Sequence, residues 1–500
     1  MRQRFEELLR RLGAIDDVGK ARGLLGWDEL TKMPPLGAEA RAEQGATLAR
    51  IAHELRIAPE LGELLEELRA FEEEHEHDSF EASVVRVARR DYDKAIRVPP
   101  ELRAELARAY SHGYQAWLKA REERDYGIFR PQLERNLELT HRYVECFEPY
   151  DDPYDPLLDD FEPGMKTTEV AAVFATLKPE LVSLLARVGE PADDSCLRGR
   201  FPEDDQRRFA LAVLERWGMD DQAWRLDDTI HPFQDNFAPT DIRLTSNFQE
   251  DGLWGVLACM HEFGHGLYER QVDPAYARTP LGRGVSYAFH ESQSRLWENL
   301  VGRNLATWRC LYPQLRDSFP AQLASVSLET FHGALNRVAP TVRRLDADEV
   351  TYSLHIILRF ELERDMLSGT VAPADLPDAF DAKVEEYLGV RPRDVVEGVL
   401  QDAHWSDTGF GYFPTYALGN VISVQLWQRT TADLGNLDEQ LERGELASLR
   451  EWLREHVHRW GRVLTPGELL ERAAGGPLDP APYLRYLDEK VAQLEATPAG

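Results

Sequence analysis

The stretch from Trp254 to Tyr268, WGVLACMHEFGHGLY, constrains the fold more than any other part of the chain. As an α-helix of about 3.6 residues per turn it is apolar on almost every side, which predicts a helix buried inside a large body. It also contains HEFGH, an H-E-x-x-H pattern. His261 and His265 lie one turn apart on one face, so both imidazoles can bind one metal ion, and Glu262 lies beside the open position. Two buried histidines need a partner, and either a metal or hydrogen bonds within the core would satisfy them.

The segment HESQS, from His290 to Ser294, supplies a candidate third ligand. It follows a Gly-containing connection, TPLGRG, which leaves room for the chain to turn and return as a second helix beginning near Val285. Glu291 on that helix would complete a His, His, Glu site with a fourth position for water, the arrangement of a catalytic zinc site. Taken alone, HESQS is equally compatible with an ordinary polar helix start.

Three further motifs accompany these two. One is D-x-R-x-T, formed by Asp241, Arg243 and Thr245. Another is G-x-x-Q-D-x-H-W, formed by Gly398, Gln401, Asp402, His404 and Trp405. The third is RRLDAD, which matches I-R-x-x-A-D except that Arg343 replaces Ile, while Arg344 is retained. With these five motifs in order, the chain resembles the M32 family of metallocarboxypeptidases over essentially its whole length.

The resemblance implies a mainly α fold, a large single helical body with a deep central substrate cleft and a small β-hairpin or sheet beside the metal helix. Residues 1–500 would form one unit, in which the helices of residues 1–130 partly cover the cleft and residues 227–420 form the catalytic core. The implied activity is release of single C-terminal residues from peptides, with broad specificity. The alternatives are a related single-zinc endopeptidase or peptidyl dipeptidase, and a non-catalytic binding protein on the same scaffold.

The metal motif and the resemblance together give roles to the residues of the reaction. Glu262 is predicted to be the general base for the attacking water. Tyr412 and Tyr416, in the segment GYFPTYALGN, are candidates for a phenol that stabilises the oxyanion, with Tyr416 favoured slightly. Zinc is the expected metal and cobalt a possible one.

The resemblance also suggests how a substrate is held. Arg344 is the best candidate for binding the free C-terminal carboxylate, because a guanidinium can pair with a carboxylate bidentately. Arg243 either supports it or organises the adjacent strand. Either arginine could instead simply be paired with a neighbouring acid such as Asp241 or Asp348. His231, in the segment HPF, either donates a hydrogen bond to the substrate or is a structural residue beside a turn. The expected partners are peptides with a free C-terminus and a second copy of the chain in a homodimer.

Composition excludes several other classes of function. The formal charge of −30 and the pI near 4.9 argue against binding to nucleic acid or to anionic membranes. The acidity is either a solubility feature or an adaptation to high salt. No segment has the length and apolar character of a signal peptide or a bilayer span. We therefore expect a soluble, cytoplasmic protein with reduced thiols, since the cysteines are widely separated at Cys146, Cys196, Cys259 and Cys310.

The remaining segments are predicted from periodicity and turn residues. The segment DIRLTSNF predicts a short strand or hairpin, and ADEVTYSLHIILRFELERDML predicts a long buried helix with His355 in the core. The acidic segment ECFEPYDDPYDPLLDDFEPG is expected to be a solvated loop, because it lacks the spacing of a calcium-binding loop. The segment WSDTGFGYFPTYALGN is expected to be a loop close to the site.

Overall fold

The computed structural model describes residues 1–407 and 409–496. It confirms a mainly α fold with one small sheet. The helices are α1 Arg2–Thr31, α2 Ala38–Arg56, α3 Pro59–Glu67, α4 Arg69–Glu73, α5 Phe80–Arg97, α6 Pro100–Glu123, α7 Tyr126–Glu145, α8 Asp155–Leu158, α9 Thr167–Arg187, α10 Glu203–Trp217, α11 Trp254–Gln271, α12 Tyr287–Arg295, α13 Leu305–Ser318, α14 Pro320–Leu323, α15 Leu328–Leu335, α16 Tyr352–Leu367, α17 Leu376–Leu388, α18 Pro414–Leu434, α19 Leu437–Arg443, α20 Ala447–His456, α21 Pro466–Ala474 and α22 Ala481–Ala496. The strands are β1 Trp224–Asp228, β2 Gln234–Ala238 and β3 Asp241–Ser246.

The predicted strand at DIRLTSNF is β3, the central strand of a three-stranded sheet. β1 pairs with β3 in parallel and β2 pairs with it antiparallel, so β2 and β3 form the hairpin. Ile242 and Leu244 alternate toward the interior and are fully buried, as expected for a strand with one face on a core. The sheet packs against α11 and places β2 at the edge nearest the cleft.

Helix α11, which carries HEFGH, is buried as its apolar surface predicts. Met260, Phe263 and Leu267 are almost inaccessible to solvent. The Phe263 ring lies 4.9 Å from the Trp297 ring and 5.5 Å from the Trp224 ring, centroid to centroid. Aromatic packing on this side fixes the rotation of the helix, and the two histidines therefore face the opposite side.

Helix α12 lies between α11 and α18, at distances that only glycine permits. A Cβ atom on Gly264 of α11 would lie 2.4 Å from the backbone oxygen of Gln293. A Cβ atom on Gly419 of α18 would lie 2.7 Å from both Cβ and Cγ of Glu291. The two glycines therefore let α12 approach closely enough for Glu291 to reach the histidines. The predicted start of this helix near Val285 is confirmed, because Ser286 caps α12 and accepts a hydrogen bond from the Phe289 amide.

Two predictions from the sequence need correction. The acidic segment after Cys146 is packed rather than a solvated loop, since Tyr154, Leu157 and Leu158 are buried. Asp155 in that segment accepts hydrogen bonds from the backbone and hydroxyl of Thr167 at the start of α9. The segment predicted to be a loop before the final helical region ends at residue 413, where α18 begins with Pro414 in its first turn.

Buried apolar residues from Phe5 to Val491 form one continuous core, and a smaller cluster lies around Leu102. The expected core position of His355 is confirmed, since it is fully buried on α16. An open cleft of about 940 Å³ enters the body, with α11, α12, β2 and the start of α18 in its walls. Among the described helices, none is both long enough and apolar enough to span a bilayer.

Candidate metal centre

The three predicted metal ligands converge at the wall of the cleft. Glu291 Oε2 lies 3.6 Å from His265 Nε2 and 3.9 Å from His261 Nε2. Ligands bound to one tetrahedral ion at roughly 2.1 Å lie about 3.4 Å apart, so the three atoms fit a single metal with small adjustments. Within the described residues, this is the only group of three such side chains close enough to hold a metal.

The His261 ring is oriented by Glu298, one turn beyond α12. His261 Nδ1 lies 2.8 Å from Glu298 Oε2, and Arg295 Nη1 lies 3.2 Å from the same oxygen. Burial alone would raise the pKa of Glu298, but Arg295 and His261 hold it well below its usual range. The carboxylate therefore accepts the Nδ1 proton, which leaves the Nε2 lone pair of His261 facing the ligand position.

The His265 ring is oriented by a second imidazole. His265 Nδ1 lies 2.6 Å from His290 Nδ1, and His290 Nε2 lies 3.0 Å from Glu269 Oε1. Glu269 is buried, yet its hydrogen bond from His290 lowers its pKa, so the carboxylate accepts the Nε2 proton of His290. His290 Nδ1 is then an acceptor, His265 Nδ1 donates to it, and His265 Nε2 is free to bind a metal.

Glu262 and Glu291 are both carboxylates of this centre, but their surroundings differ. Glu291 Oε1 accepts a hydrogen bond from Arg295 Nε at 2.6 Å, which fixes the ligand side chain. Glu262 is 6% exposed and lines the cleft, and burial raises its pKa to about 7. A carboxylate with a pKa near neutrality can both accept and return a proton, as a general base must.

Arg344 is buried at one end of the cleft and held by two side chains. Its Nε and Nη2 donate to Asp402 Oδ1 at 3.0 and 2.7 Å, and its Nη1 donates to the Tyr352 hydroxyl at 3.0 Å. Burial alone would raise the pKa of Asp402, but Arg344 and Arg359 hold it well below its usual range. Each Nη of Arg344 carries a second hydrogen that has no acceptor among the described residues.

The two candidate tyrosines lie near this arginine. The Arg344 guanidinium carbon is 5.0 Å from the centre of the Tyr416 ring, and the Tyr416 hydroxyl is 3.2 Å from His404 Nε2. Tyr412 lines the same cleft and packs edge-on against Phe161, with ring centres 5.0 Å apart. Both tyrosines therefore line the cleft that holds the predicted ligands, and Tyr416 is the one beside Arg344.

His231 and Arg243 are placed differently. His231 lines the cleft, where the low polarity of its surroundings and the charges of Arg344 and His261 lower its pKa. Arg243 is not in the described cleft wall. Its Nε and Nη2 donate to Asp241 at 2.8 and 3.0 Å, and its guanidinium lies over the Trp27 ring. Of the two interpretations that the sequence allows for Arg243, the structure favours pairing with Asp241 on the adjacent strand.

Several residues that shape the centre were not predicted. Glu269 was detectable, because it continues the spacing of four residues from His261 and His265 along α11. Glu298 follows Glu291 by seven residues on one face of a nearly continuous helix, a weaker signal. The contact between Arg344 and Asp402 joins distant parts of the chain, and no local pattern indicates it.

Comparison with known proteins agrees with this geometry. Residues 5–491 match the family model described as carboxypeptidase Taq (M32) metallopeptidase. The chain is 42% identical to thermostable carboxypeptidase 1 of Thermus thermophilus, with 98% of each chain covered, and 35% identical to carboxypeptidase 1 of Bacillus subtilis, also with 98% of each covered. The crystal structure of an M32 carboxypeptidase from Deinococcus radiodurans R1 superimposes with a TM-score of 0.94 at 40% identity, covering 98% of this chain and 99% of that one. The chain belongs to the M32 family of metallocarboxypeptidases.

Proposed function

We propose that this metallocarboxypeptidase removes residues one at a time from the free C-terminus of peptides, with broad specificity. The observation that carries the proposal is the position of Arg344 in the same cleft as the three ligand side chains. Its two unbonded Nη hydrogens can hold a terminal carboxylate bidentately. An endopeptidase, which cleaves inside a chain, would not need a buried cation at the position of Arg344.

The residues of the cleft support a hydrolytic mechanism. A divalent metal, when bound, supplies a Lewis acid that polarises the scissile carbonyl and lowers the pKa of water. Glu262 accepts a proton from the attacking water and later returns it to the leaving amine. Tyr416 donates a hydrogen bond to the developing oxyanion, with Tyr412 as the second candidate. His231 donates a hydrogen bond to the bound peptide.

The donor set supports zinc as the metal, with cobalt as the alternative. Two imidazole nitrogens and one carboxylate oxygen are the ligands of many catalytic zinc sites, and they leave one position open. Their orientation by Glu298 and His290 follows the usual support of metal-binding histidines by hydrogen-bond acceptors. Metal analysis of protein purified without added metal would test this assignment, and an ion other than zinc or cobalt would contradict it.

We further propose that residues 1–500 work as one unit, with the helices of residues 1–130 partly covering the cleft and residues 227–420 forming the catalytic core. Lys20 on α1 and Arg90 on α5 line the same cleft as the ligands, which supports this division. The resemblance supports a homodimer, which sedimentation would test. All four cysteines are unpaired, which supports a reducing location such as the cytoplasm.

The experiment that tests the activity uses one peptide of about ten residues and its C-terminal amide. Purified protein is incubated with each, with zinc or cobalt and with chelator, and the products are followed by mass. The proposal predicts a metal-dependent ladder of single residues lost from the free peptide and no ladder from the amide. Internal cuts would favour an endopeptidase, release of dipeptides would favour a peptidyl dipeptidase, and no cleavage with metal bound would favour a binding protein.

A further inference from the structure

Arg283 lines the cleft without an ion-pair partner. It lies in the connection before α12, and its side chain is exposed to the cleft. No carboxylate of the described residues lies within 4.0 Å of its guanidinium. Most arginines of the described residues have such a partner, and Arg283 is the one arginine among those lining this cleft that has none. A group of a bound ligand could therefore be the ion-pair partner that Arg283 lacks.

Two of the acids near Arg283, Asp91 and Glu269, are already paired with other groups, and a third, Asp16, lies beyond ion-pair distance. Asp91 accepts from both Nη atoms of Arg462 at 2.9 Å, and Glu269 accepts from His290 at 3.0 Å. The charge of Arg462 is the main factor that lowers the pKa of Arg283, with burial second. Arg462 and Arg283 thus lie near the same aspartate, which is bonded to Arg462, and Arg283 is left without a carboxylate of its own.

Lys20 adds a second cation to the wall of the same cleft. Its Nζ donates to the backbone oxygen of Asn236 at 2.7 Å, and no carboxylate of the described chain lies within 4.0 Å of it. Asp16, Asp235 and Glu269 lie farther from Lys20 but within range of its charge. The chain carries a net charge of −30, so two cations without an ion-pair partner in the wall of one cleft are not a consequence of composition.

Helix α12 gives the position of Arg283 relative to the metal ligands. Arg283 precedes the first turn of the helix, Glu291 lies in its middle, and Arg295 at its end lies 4.3 Å above the Tyr352 ring that contacts Arg344. Arg283 and Arg344 are therefore on opposite sides of the ligands. Within α12, Glu291 lies about 6 Å along the axis from the first residue, at about 1.5 Å of rise per residue, and Arg283 lies four residues before that start.

We propose that Arg283 forms a subsite for an acidic side chain of the peptide substrate, on the amino-terminal side of the scissile bond. This inference rests on the proposed function, because a terminal carboxylate at Arg344 directs the rest of the peptide past the ligands toward Arg283. An extended peptide advances about 3.3 Å per residue, so the side chain that reaches Arg283 is at least about two residues before the bond. Lys20, in the wall of the same cleft, strengthens the same preference.

The test uses peptides that share one C-terminal residue and differ at a single position, scanned from the second to the fifth residue before the scissile bond. Each position carries Glu, its neutral isostere Gln, or Lys, and kcat/KM is measured for metal-loaded protein. We expect one position at which the Glu peptide is cleaved about three to ten times more efficiently than the Gln peptide, with Lys least favoured. The ratio should decrease as salt is raised.

Three variants distinguish the subsite from a general effect of charge. In Arg283→Gln the ratio of Glu to Gln peptide should fall to about one, and in Arg283→Glu the preference should change to Lys, which misfolding cannot produce. Arg391→Gln removes the same charge from an exposed remote site and should keep the wild-type ratio. A wild-type ratio near one at every position, or a ratio that persists in Arg283→Gln, would overturn the subsite. Failure of the wild-type protein to cleave any of the peptides would instead overturn the proposed function and the subsite with it.

Discussion

The two ends of the cleft hold their arginines in different ways. Arg344 is 6% exposed and fixed by Asp402 and Tyr352, so only its outer hydrogens can bind a ligand. Arg283 is exposed to the cleft and has no acid within 4.0 Å. The C-terminal carboxylate, which every substrate of the proposed reaction carries, would bind a rigid, buried cation. An acidic side chain, which only some substrates carry, would bind an accessible cation that water can solvate when that side chain is absent. Binding of the terminal carboxylate and the proposed preference for an acidic side chain thus depend on opposite sides of the ligands.

The largest expected effect comes from a substitution at the metal centre, which lies between the two arginines. Glu262→Gln keeps the shape of the side chain but removes the base, so kcat should fall about 10²- to 10⁴-fold. Both arginines are untouched, and peptides should still bind with the wild-type order of preference. Steady-state kinetics and competition binding would measure the two effects. A fall of less than tenfold in kcat would show that Glu262 is not the base.

The next effect concerns the phenols beside Arg344. Tyr416→Phe should lower kcat about 10²- to 10³-fold, because it removes one donor to the oxyanion. Tyr412→Phe should have a smaller effect, since Tyr412 mainly packs against Phe161 and Tyr287. Measuring kcat for both variants on one peptide would decide between them. Unchanged turnover in both variants would remove the tyrosines from the mechanism.

Glu298→Gln probes the support of His261 near the Arg344 end. Losing the negative charge that orients His261 should raise the Kd for the metal about 10- to 100-fold, and titration against a chelator would measure it. Glu269→Gln makes the matched change at the Arg283 end, where the charge acts through His290. Its effect should be smaller, because it reaches His265 through a second imidazole. Equal metal affinity in Glu298→Gln and wild type would contradict the assigned support.

The smallest expected effect is on stability, at the start of α12 near Arg283. Glu162 accepts a hydrogen bond from the Ala288 amide, and burial raises its pKa from 4.5 to about 8. Between these values only the folded state binds the proton, so wild-type protein loses stability as pH rises. Glu162→Gln should be about 1 to 3 kcal/mol more stable than wild type above pH 8, with the difference disappearing below about pH 4.5. Urea unfolding across this range would measure it, and a constant difference would contradict the buried carboxyl.

The ligand side chains could be predicted because their chemistry is local. His261 and His265 are one helical turn apart, and HESQS supplied Glu291 at the right place on a second helix. The sequence does not show by itself that α12 fits between α11 and α18. That depends on Gly264 and Gly419, whose missing side chains matter only once the three helices are packed together.

The start of α18 was predicted wrongly for a local reason. Glycines and aromatic residues suggested a loop, but Pro414 is at the first turn of a helix, where its fixed φ and missing N–H are tolerated. The packing of the acidic segment was missed for a different reason. Tyr154, Leu157 and Leu158 are separated by aspartates in sequence and share one buried side only after folding.

The partner of Arg344 was beyond prediction from local pattern. The resemblance gave the arginine, but its orientation depends on Asp402, which also pairs with Arg359 on α16. Arg344, Arg359 and Asp402 come from three separate segments that meet only in the folded protein. Their contact fixes which N–H groups of Arg344 remain available to a substrate.

The most direct test of the account is the ratio of kcat/KM for a free peptide to that for its C-terminal amide, in wild type, Arg344→Ala and Arg343→Ala. A bidentate charge pair predicts a ratio of about 10² to 10³ in wild type. Arg344→Ala should reduce it to near one, whereas Arg343→Ala, which changes the exposed neighbouring arginine, should preserve it. Because both substrates are measured on the same preparation of a variant, any loss of folded protein cancels in the ratio of the two kcat/KM values. An equal loss on acid and amide in Arg344→Ala, or a ratio that disappears in Arg343→Ala instead, would contradict the account.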